Sequence, residues 1–363
     1  MKKIDIKKLL RVDPGQAPAY EIPVFPEAIK LDANENPYEI PVDLLAEVLQ
    51  NIGQVLLNRY PDPGYGKVRR ILSGMWGWPY DRIILGNGSD ELIQVIMIAF
   101  GGPGKKVFIP TPSFAMYRII ARSFGDTVEE IPLSEDFDLV LSDALRDRMY
   151  DPSRTGNLIF LAVPNNPTGN CFSRSVVQEI VENFQGIVCI DEAYTDFSDT
   201  NFLDLLSEHP NLIILRTLSK IGLAAIRMGF LLADEAIIQN IQRIKLPYNI
   251  NSLAEAAASV VLSKREVIEA SISQVKKNRT WLHEQMMRIE GIRVYPSRAN
   301  FILFQVNSDA AAPKLLEQLL SEGILIRGFG DEGRLKGHFR VTVGTQEECS
   351  RFVEGLRKIL RSH

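Results

Sequence analysis

The 363-residue sequence predicts an α/β fold: a large domain with a mostly parallel sheet flanked by helices, joined to a smaller α+β domain. Three observations carry this. Between about Val42 and Asp234, short apolar runs alternate with amphipathic stretches. Several of those runs are apolar throughout, as parallel strands covered on both faces are. Past about Asn251 the pattern changes to long helical stretches followed by a few strands.

Taken in order, the first 40 or so residues contain Pro14, Pro18, Pro23, Pro26 and Pro37, which predicts an irregular arm, because proline resists helix interiors and central strands. The strand-length runs then follow as RIILG, KVFIP, TVEEIP, NLIFLAVP, GIVCID, NLIILRT and RMGFLLA. Between them lie DELIQVIMIAF, SFAMYRIIARSFG and SRSVVQEIVENF, each with helical spacing. Leu253 to Ile289 reads as one or two long helices. GIRVYPSRANFILFQV, ILIRGFG and HFRVTVG supply further strands, with helices over Ala311 to Glu322 and Thr345 to Leu360. The expected division is an arm over 1–41 contributing to the small domain, a large domain over 42–250 and a small domain over 251–363.

Composition narrows the function. Hydrophobic residues at 45% and charged residues at 24% describe a soluble globular protein. A net charge of -4 argues against a nucleic-acid binder, so the expected ligands are small molecules. No uncharged apolar run approaches membrane-spanning length, and MKKIDIKKLLRVDPG lacks the apolar segment of a signal peptide. Cys171, Cys189 and Cys349 are scattered, which suits a reducing cytoplasm, and the four histidines do not cluster, so no histidine-based metal site is expected.

In α/β sheets ligands collect beyond the carboxyl ends of the strands. Reading off the residues there gives GNGSDE (86–91), PSFAMY (112–117), PNNPTGN (164–170), DEAY (191–194) and SK (219–220). GNGSDE opens a helix, where free backbone N–H groups hold a phosphate; equally it is a turn capped by Ser89. PNNPTGN is a loop by composition, or a means of pointing the Asn166 amide at a ligand oxygen. Asp191 ends a buried strand and needs a cation or donors; a metal ligand or a helix cap fits as well. Tyr194 could present its phenol to the same space. Lys220 is by position an ordinary surface lysine, yet a lysine in a desolvated, cation-rich pocket becomes a nucleophile toward carbonyls. A phosphate cradle, a carboxylate for a ring nitrogen, a phenol and an amine are together the parts that pyridoxal phosphate requires.

With these motifs the chain resembles the fold-type I pyridoxal-phosphate aminotransferases, and most closely the histidinol-phosphate aminotransferases. LDANENP (31–37), NRYPDP (58–63), GNGSDELI, PTPSFAMY, PNNPTGN, DEAYTDF, TLSK, RMGF, ANFIL (299–303) and FRVTVGT (339–345) stand in family order along essentially the whole chain. The resemblance implies that Lys220 is the lysine that attaches the cofactor and Asp191 the partner of its ring nitrogen. Tyr194 and Asn166 would face the ring oxygen. Ser89, Asp90, Ser219 and Arg227 would cradle the phosphate, and Phe114 would stack on the ring. Tyr60 would reach the cofactor phosphate of a neighbouring subunit, implying a homodimer to which the arm contributes. Arg327 and Arg340 would bind substrate anions, with Asn166 beside them.

The implied reaction is transamination between histidinol phosphate and 2-oxoglutarate in histidine biosynthesis, in the cytoplasm, with no nucleic acid, membrane or metal. Aromatic aminotransferases and threonine-phosphate decarboxylases are the nearest alternatives. Two features depart from the family pattern. Val12 and Asp13 stand where the family often has Pro-Tyr, leaving Tyr20 to take the tyrosine's place near substrate, and only seven positions separate Lys220 from Arg227. The stretch 211–233 holds Arg216, Lys220 and Arg227 without an acidic residue; the cofactor phosphate is the expected counter-charge, and Arg216 has no assigned role.

Overall fold

Strand order explains why the motif residues converge. The computed structural model describes residues 25–153, 156–307, 312–330 and 333–361, together with residues 5 and 9. Among them twelve strands, numbered in chain order, fall into two sheets. The larger contains β2 (Ile83–Asn87), β3 (Lys106–Thr111), β4 (Thr127–Pro132), β5 (Asn157–Ala162), β6 (Gly186–Asp191), β7 (Leu212–Thr217) and β8 (Met228–Ala233). The smaller contains β1 (Ile29–Leu31), β9 (Ile292–Val294), β10 (Phe301–Val306), β11 (Ile324–Gly328) and β12 (His338–Thr342).

The larger sheet has the order β2-β8-β7-β6-β5-β3-β4, and β8 alone runs against its neighbours. The other six strands therefore end on one edge. Every residue of β5 and of β8 is buried. Leu158 and Phe160 enter one core with the helices Ser89–Phe100, Ala115–Phe124 and Glu235–Ile244, while Ile159 and Leu161 enter a second core that continues into the smaller sheet. Apolar residues on both faces of a strand are what parallel packing under two layers demands. Full burial of Phe160 alone contributes on the order of 2–3 kcal/mol.

Local chemistry sets several element ends. Gly125, at φ 86°, stops the helix Ala115–Phe124 in the left-handed region that glycine enters without steric cost. The side chain of Asn251 accepts the backbone N–H of Ala254 at 2.8 Å and caps the helix Ser252–Ser263. The Leu253 to Ile289 stretch resolves into that helix and Arg265–Met286, separated at Lys264. Ser252–Ser263, just past the expected boundary at 250, packs against Val42–Ile52 and Gly66–Trp76.

The smaller sheet has the order β1-β11-β12-β10-β9, with β1 parallel to β11 and the other pairs antiparallel. β1 corrects the expectation of a wholly irregular arm. The prolines flank Ile29–Leu31 rather than interrupt it, so its donors remain available, and Ile29 N–H donates to Gly323 O at 2.8 Å. This pairing anchors the LDANENP segment that follows.

Arg216 also receives its explanation here, and the cofactor phosphate is not its counter-charge. Its Nε and Nη2 donate to Glu192 Oε2 at 2.9 and 2.7 Å, its guanidinium lies over the Trp76 ring at 5.0 Å, and Glu192 Oε1 accepts Phe202 N–H at 2.6 Å. Burial pushes the Glu192 carboxyl up from its usual range, and the Arg216 charge and hydrogen bond pull it back. The pair ties β7 to the residue that follows β6. Removing one partner leaves the other charge buried alone. Arg216→Ala is therefore expected to destabilise the protein by about 3–5 kcal/mol in urea unfolding, and adding Glu192→Gln should recover part of the loss. A single-site loss below about 1 kcal/mol, the range of exposed pairs, would show the pair to be dispensable.

Candidate active site

A cavity of about 490 Å³ opens between the strand ends of the larger sheet and strands β11 and β12. That is a usual size for a small-molecule site. Ser89, Asp90, Phe114, Asn166, Asp191, Tyr194, Ser219, Lys220, Arg227, Arg327 and Arg340 all line it. Tyr60 does not: it is 81% exposed and stacks on Tyr248 with ring centroids 4.7 Å apart. Tyr20 lies outside the described residues.

Asp191 is the last residue of β6 and is buried. Its Oδ2 accepts the Tyr117 hydroxyl at 2.6 Å and its Oδ1 accepts the Ala193 backbone N–H at 3.0 Å. Burial pushes its carboxyl up to about 6, against the pull of those hydrogen bonds and of Lys220, while Asp90 adds to the rise. Such a carboxylate gains most from a cation brought into the cavity. Lys220 donates from Nζ to Ala33 O at 3.2 Å, and Nζ lies 5.8 Å from the centre of the Tyr194 ring.

Ser89, Asp90, Ser219 and Arg227 gather around the start of the helix Ser89–Phe100, an arrangement able to cradle an anion. Arg227 donates to Ser219 Oγ at 3.1 Å and meets Asp90 Oδ2 at 3.4 Å. Two glycines make this approach possible. A Cβ on Gly88, whose φ is 80°, would lie 2.6 Å from Arg227 Nη2, and one on Gly229 would lie 2.4 Å from the Ser89 nitrogen. The short span from Lys220 is closed by Gly222 at φ 106°, a 3-10 turn over Ala224–Ile226, and Arg227 itself at φ 52°. A left-handed arginine costs about 1–2 kcal/mol of backbone strain, which the surrounding contacts must offset.

Opposite the cradle, one polar chain links both sheets. Tyr194 Oη accepts from Asn34 Nδ2 at 2.9 Å and Asn166 Nδ2 at 3.4 Å; Arg340 donates to Asn166 Oδ1 and to Asp32 O, both at 2.6 Å. Antiparallel pairing of β11 with β12 sets Arg327 directly against Arg340. Like charges facing each other across strands destabilise the pair.

Sequence reasoning named no role for Asp32, Ala33, Asn34 or Tyr117, all of which line the cavity. LDANENP and PSFAMY held these residues, but the partners of Asn34 and Tyr117 lie 160 and 74 positions away.

The raised Asp191 value makes a stability statement about the ligand-free protein. Because the folded-state value lies above the ordinary 3.8, the folded state favours the protonated form. That stabilisation is complete below about pH 4 and lost as pH rises through about 6. A shift of about two units corresponds to about 3 kcal/mol. Relative to Asp191→Asn, the wild-type unfolding free energy in urea should fall by about that amount between pH 4 and pH 7; a flat difference would contradict the burial argument.

Comparison with known proteins shows the family and the fold. The family model described as aminotransferase class I and II matches residues 26–356. Histidinol-phosphate aminotransferase 2 of Nitrosococcus oceani is 38% identical over 359 residues, covering 98% of this chain and 99% of its own. The histidinol-phosphate aminotransferase of Aquifex aeolicus is 36% identical over 346 residues, covering 95% and 96%. The crystal structure of the Sinorhizobium meliloti histidinol-phosphate aminotransferase in complex with pyridoxal-5'-phosphate has the same fold, with TM-score 0.84 at 23% identity over 92% of this chain and 91% of that one. The chain belongs to the aminotransferase class I and II family.

Proposed function

We propose that the protein transfers an amino group between L-histidinol phosphate and 2-oxoglutarate, giving imidazole acetol phosphate and L-glutamate, with pyridoxal phosphate as cofactor. This is a step of histidine biosynthesis. The carrying observation is that a single cavity combines Lys220, Asp191 and an anion cradle with the facing pair Arg327 and Arg340. The full-length relatives bearing the histidinol-phosphate aminotransferase name support the substrate choice.

The residues present fit the cofactor. Gly88 and Gly229 leave the space in which Arg227, Ser219 and Ser89 gather, as a phosphate requires, and Asp191 is a buried carboxylate suited to a protonated ring nitrogen. When bound, pyridoxal phosphate supplies an aldehyde that links to amines and a protonated ring that accepts the electron pair left at the substrate Cα. Lys220 would be the residue that holds the cofactor covalently, and its Nζ, when free, would take the proton from the substrate Cα. Asp191 would keep the ring nitrogen protonated by charge pairing. Tyr194 and Asn166 would orient the ring oxygen, and Phe114 would stack on the ring. Arg340 and Arg327 hold the carboxylate of glutamate in one half-reaction and the phosphate of histidinol phosphate in the other, since a guanidinium fork suits both anions.

The same reading makes the protein a cytoplasmic homodimer in which exposed Tyr60 serves the neighbouring subunit's cofactor. Among the described residues no helix is long and apolar enough to cross a membrane.

The deciding experiment is a substrate panel. Histidinol phosphate with 2-oxoglutarate should be converted fastest, ahead of phenylalanine and tyrosine; carbon dioxide released from phosphothreonine would overturn the transaminase reading. Borohydride reduction of the loaded protein should fix the cofactor to the peptide carrying Lys220, and label on another lysine would refute that assignment. Arg340→Gln and Arg327→Gln should each lower kcat/KM by about 100-fold with cofactor absorbance retained. Loss of the cofactor instead would mark these arginines as structural.

A further inference from the structure

We infer that Tyr117 is a positioning residue for the cofactor, acting through Asp191: its phenol holds the carboxylate in one orientation and favours its ionised form. Tyr117 sits on the helix Ala115–Phe124, has no exposed surface in the folded chain and borders the cavity. Its ring stacks on Phe160 with centroids 5.0 Å apart at 20°, and meets Phe114 edge-on at 5.4 Å and 86°. Clamped on two sides, the ring has one place to put its hydroxyl, which is 2.6 Å from Asp191 Oδ2.

The hydrogen bond has a direction that matters. A hydroxyl donating to a carboxylate oxygen stabilises the charged form, and a charged carboxylate is what a protonated ring nitrogen needs. Burial and the Asp191 charge hold the Tyr117 proton in place well above the usual phenol range, so it remains a donor throughout the working pH range. With Ala193 N–H on Oδ1, each carboxylate oxygen has one protein donor. The other titratable groups that act on Asp191 or share its surroundings are Cys189 on the same strand, Tyr194, Asp90 and Lys220. Among the described residues, Tyr117 is the one hydroxyl or thiol that donates a hydrogen bond to Asp191. Phe114, which Tyr117 buttresses, is the residue proposed to stack on the same cofactor ring.

This inference rests on the proposed pairing of Asp191 with the ring nitrogen, and the two can fail separately. The test titrates apoenzyme with pyridoxal phosphate, following absorbance, across pH 4 to 8 for wild type, Tyr117→Phe, Asp191→Asn and the double variant. Tyr117→Phe should weaken cofactor binding about tenfold, the scale of one hydrogen bond to a charged group. The acid-side midpoint of affinity should rise by about one pH unit, because a carboxylate that loses its donor ionises at higher pH. In the Asp191→Asn background, removing the hydroxyl should change affinity by less than twofold, since the coupled partner is already gone.

A lowered melting temperature with unchanged affinity and midpoint, or effects that simply multiply in the double variant, would reduce Tyr117 to a packing residue. Cofactor affinity unchanged in Asp191→Asn alone would instead refute the pairing on which the inference rests. Should Tyr117→Phe not fold, 3,5-difluorotyrosine placed at 117 keeps the ring and strengthens the donor. The midpoint should then move down, and a midpoint unchanged or moved up would overturn the proposal.

Discussion

Desolvation of the Asp191 carboxylate is the constraint around which the site is arranged. A charge at the end of a fully buried strand is costly, and the fold offsets only part of that cost with the Tyr117 hydroxyl and the Ala193 amide. The remainder appears as a carboxyl pushed up to about 6. An apolar interior at this strand end would be more stable. On the proposed function, what the fold gains is a site in which a cationic ring nitrogen meets a carboxylate already hydrogen-bonded on both oxygens.

Sheet direction turns this one position into a site. Because six of the seven strands of the larger sheet end on one edge, the residues following β2, β6 and β7 meet without long connections. The antiparallel β8 returns the chain so that Arg227, at its start, lies beside Ser219 near the end of β7. The smaller sheet closes the cavity from the opposite side with Arg327 and Arg340. Two cations facing each other suit a protein whose two proposed substrates carry different anions.

The cations of the 211–233 stretch divide according to burial. Arg216 is largely enclosed and has a fully enclosed carboxylate, Glu192, with an aromatic face beneath it. Arg227 is about half exposed, and only a weak, solvent-screened contact at 3.4 Å links it to Asp90. The first arrangement is complete within the chain; the second leaves a cation at the cavity edge with capacity for a further anion. Alike in sequence, the two arginines differ in what surrounds them.

Much of the layout was legible because it depends on short-range pattern. Runs such as NLIFLAVP and RMGFLLA are apolar at nearly every position, as a strand covered on both faces requires, and they contain β5 and β8. Resemblance of ordered motifs pointed to the residues that line the cavity, including Asp191 and Lys220. The strand Ile29–Leu31 escaped the reading because three residues among prolines carry no periodicity, and its pairing is supplied by β11, nearly 300 positions later. Glu192 and Tyr117 escaped for a related reason. Composition and periodicity report which faces are apolar, a property of neighbours along the chain. The partner of a buried charge, the hydroxyl that orients a carboxylate and the register that sets Arg327 against Arg340 depend on distances across the fold, so only the tertiary structure decides them.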